Sequence, residues 1–92
     1  MGDGAKFAIR KLVLDVLKPR EPPIHELAAK LAACEGVSDV NILLAEIDQS
    51  TESVKVSING DNVNIESVKN CIEELGASIH SIDEVTVARK KR

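Results

Sequence analysis

Six side chains of this sequence are candidate ligands for a hard divalent cation: Asp15, Glu46, Asp48, His80, Asp83 and Glu84. Calcium, magnesium and manganese take several carboxylate oxygens and do not need the His/Cys spacing of a zinc site. Glu46 and Asp48 are two positions apart and so share one face of a strand. Asp83 and Glu84 stand beside His80, and Asp15 lies within a run of branched aliphatic residues. Carboxylates set among apolar neighbours need cations or donors to remain charged. The competing reading is ion pairing to Lys11, Lys18 or Lys55 across subunits.

Catalytic arrangements are weaker. Ser57, Ser78 and Ser81 lack a nucleophile elbow or an oriented histidine, and the sequence has no Gly-rich phosphate loop, Walker lysine or HExxH. His25 falls on the solvent side of a helical pattern, which leaves His80 as the histidine to watch, either a ligand or a hydrogen-bonded strand residue. Cys34 and Cys71 each sit in an apolar helical pattern without a CxxC partner. They are expected to be buried, reduced thiols rather than zinc ligands.

The elements that carry these residues must fit into 92 positions, enough for one core and one domain over residues 1–92. Order is expected over about residues 8–88, between a short flexible N-terminus and a basic C-terminal tail. Phe7 is the only aromatic residue. The core is therefore aliphatic, and base stacking of the kind that binds single-stranded nucleic acid is not expected. Arg89, Lys90, Lys91 and Arg92 hold four of the twelve basic residues, so the rest sets eight bases against fifteen acids. An acidic body opposes a phosphate backbone, and the basic run reads as a solvated end. With no apolar leader or membrane-length stretch, the expectation is a soluble, cytoplasmic protein. The start, Met1-Gly2, resembles a myristoylation site, but Lys6 stands where Ser or Thr is required.

Alternation predicts a first strand over Ile9–Leu17, with Leu12, Leu14 and Val16 on one side. Pro22 and Pro23 suit a helix entry. Ile24, Leu27, Ala28, Leu31 and Ala32 then form a helical stripe that Gly36 stops. Val37–Ile47 is a strand with apolar residues on both faces, and turn residues Asp48–Glu52 lead into the alternating Val54, Val56 and Ile58. Asn64 caps a second helix carrying Ile65, Val68, Ile72 and Leu75, closed by Gly76. A last strand over about Ala77–Ala88 is irregular near Asp83, which predicts a bulge. This βαββαβ order gives an α+β, ferredoxin-like sandwich: an antiparallel sheet ordered 4-1-3-2 with both helices on one face.

Period two sends Lys11, Val13, Asp15 and Leu17 to the open face. Ile42, Leu44, Glu46 and Asp48 are expected there from strand two, with Leu43 and Ile47 inside, and His80, Ile82 and Glu84 from strand four. That face is too apolar to stay wet, so it reads as a subunit interface. Strands one and two are two sheet spacings apart, roughly 10 Å. Asp15 and Glu46 are thus not expected to share an ion within one chain, and an edge-pair site would be tied to assembly.

The segments Leu12–Pro19, Glu35-Gly36-Val37 and Ile79–Val85 resemble an archaeal family of short uncharacterised proteins, domain of unknown function 211, along nearly the whole chain. The resemblance implies a ferredoxin-like, ACT-like subunit that assembles into rings or larger homo-oligomers. It marks Asp15, Lys18, Glu46, Asp48, His80, Ser81, Asp83 and Glu84 as polar motif positions. Arg20 departs from the pattern, which has His there. The expectation is a non-enzymatic homo-oligomer that binds a small ligand or a divalent cation at its interfaces. The alternative is a small enzyme with an intersubunit active site.

Overall fold

The computed structural model describes residues 6–90, leaving the myristoylation-like start and the last two residues of the basic run outside the described residues. Its elements are β1 (Phe7–Pro19), α1 (Ile24–Ala32), β2 (Val37–Ile47), β3 (Thr51–Gly60), α2 (Ile65–Glu74) and β4 (Ser78–Arg89). The sheet is antiparallel and ordered β2-β3-β1-β4, the expected topology read from the other edge. Pairing continues past Ala88: Phe7 lies opposite Arg89, and Lys90 N–H donates to the Lys6 carbonyl at 2.8 Å.

Leu12, Leu14 and Val16 of β1 meet Val54, Val56 and Ile58 of β3 under Leu27 and Leu31 of α1 and Val68 and Ile72 of α2. All of these are buried. The helices begin where the sequence places them. The Pro23 carbonyl accepts from the amides of Glu26 and Leu27, and the Asn64 side chain accepts from Ser67 N–H at 3.0 Å. Gly36, at φ +84°, passes so close to the β3–α2 turn that a Cβ there would lie 1.9 Å from the Asn62 carbonyl oxygen.

The register of β2 differs from expectation. Val40, Ile42 and Leu44 lie opposite Ile58, Val56 and Val54 and so face the helices, while Leu43 lies opposite Lys55 on the open face. Apolar residues on both faces left the alternation ambiguous, and packing beside α1 decides it. An extra residue at Ala45 then shifts the phase. Glu46 comes opposite Ser53 on the open face as expected, while Ile47, opposite Glu52, is on the helix side but exposed.

The buried strand residues all belong to the two central strands, from Ala8 to Lys18 in β1 and from Val54 to Ile58 in β3. The helices cover only the middle of the sheet. Leu44, Ile47, Ile82 and Val85 therefore stay exposed on the edge strands although their neighbours across the ladder belong to the helix side.

Candidate functional site on the open sheet face

The polar cluster of β4 depends on two irregularities. Asp15 pairs with Ser81 and Val16 with Ile79, leaving His80 as an extra residue; Val13 pairs with Glu84 and Leu14 with Ile82, leaving Asp83 extra. Each bulge puts two successive side chains on one side. His80 and Ser81, then Asp83 and Glu84, share the open face, with Ile82 turned to the helix side opposite Leu14. The expected bulge is present and a second accompanies it, which overturns the open-face placement of Ile82.

Ser81, Asp83 and Glu84 find partners within the chain. Asp83 accepts from the Lys55 ammonium and from Ser81 Oγ at 2.8 Å, and Glu84 lies 3.4 Å from Lys11 Nζ. The hydrogen bonds from Lys55 and then Ser81 hold the Asp83 carboxyl below its ordinary range. The same bond to Asp83, opposed by desolvation and aided by the charges of Asp83 and Asp15, raises Lys55. The ion pairs expected across subunits thus form within the single chain.

Asp15, Leu17, Glu46, Ser53 and His80 line one shallow depression of about 330 Å³. A second, of about 470 Å³, adds Ile47, Asp48 and Thr51 beside Leu17 and Glu46. Asp48 lies in the β2–β3 turn. Its carboxylate accepts from Gln49 N–H at 2.9 Å and its carbonyl from Arg20 at 3.2 Å. The six sequence candidates therefore divide: Asp83 and Glu84 are tied to lysines, whereas Asp15, Glu46, Asp48 and His80 border the depressions. No group of three His, Cys, Asp or Glu is close enough to hold a metal among the described residues.

Lys18 is a residue that sequence reasoning underused. It follows Leu12, Leu14 and Val16 in the helix-facing row and is 1% exposed. Its ammonium donates to the Pro19 carbonyl at 2.8 Å, the Arg20 carbonyl at 3.3 Å and Glu52 Oε1 at 2.9 Å. Three donors meet three acceptors. Period two extended from Val16 places it on the helix side, next to the chain-breaking Pro19. The cysteines, expected to be buried, are half-buried and free, and they line one cleft at the margins of α1 and α2.

The strand order and the one-sided helix layer define a ferredoxin-like α+β domain, with its polar residues gathered by bulges on the open face. Residues 10–91 match the domain of unknown function 211, described as uncharacterised ArCR, and the chain belongs to that family. It is also similar to the uncharacterised protein MJ0319 of Methanocaldococcus jannaschii, 49% identical over 82 residues that cover 89% of this chain and 84% of that protein. No helix among the described residues is long and apolar enough to cross a membrane.

Proposed function

We propose that the protein is an ACT-like homo-oligomeric binding module, not an enzyme, that holds a divalent cation or small ligand where its subunits meet. The observation that carries this reading is the state of its two edge strands. On β2, Leu43 and Ile47 are 63% and 59% exposed, and on β4, Ile82, Val85 and Val87 are each 52% exposed. An edge strand with unpaired main-chain groups and bare aliphatic side chains is a template for another chain. The depressions bordered by Asp15, Glu46 and Asp48 lie between these edges and reach β2. A second subunit would supply the oxygens that one chain lacks for a cation.

Sedimentation at micromolar concentration tests the assembly. The expected species is a defined multiple of the 9.9 kDa chain, and Leu43→Lys combined with Ile82→Lys is expected to dissociate it by placing ammonium groups in the contact. A wild-type monomer would overturn the reading.

A further inference from the structure

Cys34 lies just beyond α1 in a turn held by main-chain bonds, its N–H donating to the Leu31 carbonyl at 3.0 Å and its carbonyl accepting from Val37 N–H at 3.2 Å. Its sulfur points across to the other helix, 3.8 Å from the Lys30 carbonyl oxygen and 3.9 Å from that of Ser67. Ser67 is one helical turn before Cys71, so Cys34 Sγ rests on the turn of α2 that carries the second thiol. Both cysteines line one cleft of about 490 Å³. The two chain segments are fastened beside it: Asn64 N–H donates to the Glu35 carbonyl at 3.1 Å, and Asn64 Nδ2 to Glu35 Oε1 at 3.3 Å.

We propose that Cys34 and Cys71 form an oxidation site, converted by a hydroperoxide-class oxidant into an intrachain disulfide that ties the end of α1 to α2. The seating of Cys34 Sγ against the turn of α2 that bears Cys71, the fixed backbone around Cys34 and the cleft that both cysteines line together carry the proposal. Cys71 is pushed up to about 11, by burial first and by Cys34 next, so it keeps its proton near neutrality. The Cys34 thiolate displaces hydroxide from the peroxide as the O–O bond breaks, giving a sulfenic acid and, after protonation, water. Cys71 then gives up its proton and attacks that sulfur, the S–S bond forms, and the sulfenic hydroxyl leaves as a second water. Two thiols lose two electrons and the peroxide gains them.

The disulfide closes the loop from Cys34 to Cys71 and restricts the unfolded chain, so oxidation should stabilise the domain. Hydrogen peroxide is added to the reduced wild-type chain and to Cys34→Ser, Cys71→Ala and Cys71→Ser variants. The expected wild-type product has no free thiol in denaturant, is lighter by about 2 Da, runs as one chain without reductant, and melts roughly 10 °C higher or more. A reductant should reverse the shift, and no single variant should show it. The proposal is overturned if both thiols persist, if the disulfide joins two chains, or if each sulfur takes up oxygen separately. The test is independent of the proposed assembly, because its product is defined within one chain.

Discussion

Lys18 shows how one residue can be paired for structure rather than display. Its stem continues the aliphatic row of β1, and its ammonium joins β1, the following turn and β3 through Pro19, Arg20 and Glu52. Removing one member of a buried pair leaves the other without compensation. Lys18→Ala is expected to lower unfolding stability by about 3 kcal/mol, toward the lower end for such pairs because Glu52 is 16% exposed and can be rehydrated. Lys18→Met with Glu52→Gln should recover part of that loss, and urea unfolding measures both. Cys71 gives a prediction at alkaline pH. Its folded value is raised from 9.0 to about 11, so its contribution is fully present below pH 9.0 and is lost as pH rises toward 11. The fall in thermal midpoint between these limits should be shallower in Cys71→Ser.

Among the elements, the helices were the most legible, because an apolar stripe, a cap and a closing glycine agreed with one another. The strands were legible as strands, and β1 and β3 face as read, but the facing of β2 and β4 was not legible. In β2 both alternating sets are apolar, and the extra residue at Ala45 reverses the phase within the strand. In β4 two bulges reverse it twice. Period two therefore placed Glu46, His80 and Glu84 on the correct face while misplacing Ile42, Leu43, Leu44 and Ile82. The shared cleft of the cysteines was hidden too, since helix-to-helix packing brings together residues far apart in the chain. Two glycines isolate the role of connections between elements. Gly36 and Gly76 have nearly equal φ, but a Cβ at Gly76 meets nothing nearer than Pro19 Cγ at 3.8 Å. Gly76→Ala should cost about 1–2 kcal/mol for the left-handed backbone alone. Gly36→Ala should cost clearly more because it also strikes the Asn62 carbonyl. Paired urea titrations would separate the two effects.

At the scale of the whole molecule, assembly and cation binding are expected to be linked. If carboxylates at a subunit contact share an ion, millimolar calcium, magnesium or manganese should raise the thermal midpoint. At ~100-fold excess over Kd, the stabilisation would be about 2.7 kcal/mol. Glu46→Gln with Asp48→Asn should abolish that shift and leave the fold intact. An unchanged wild-type midpoint would instead leave these carboxylates as ordinary surface acids. The folded chain is also long for its size, 49 Å in one direction and 20 and 19 Å in the others. Only the long direction accommodates β1, so the strand N–H bonds, which point across the strands, lie across that axis. A body of this shape spins about its length faster than it turns end over end. In nitrogen relaxation measurements on an isolated subunit, strand amides would report shorter correlation times than the mean tumbling implies. Side-by-side association through β2 and β4 widens the short axes first, so this contrast would shrink as the assembly forms.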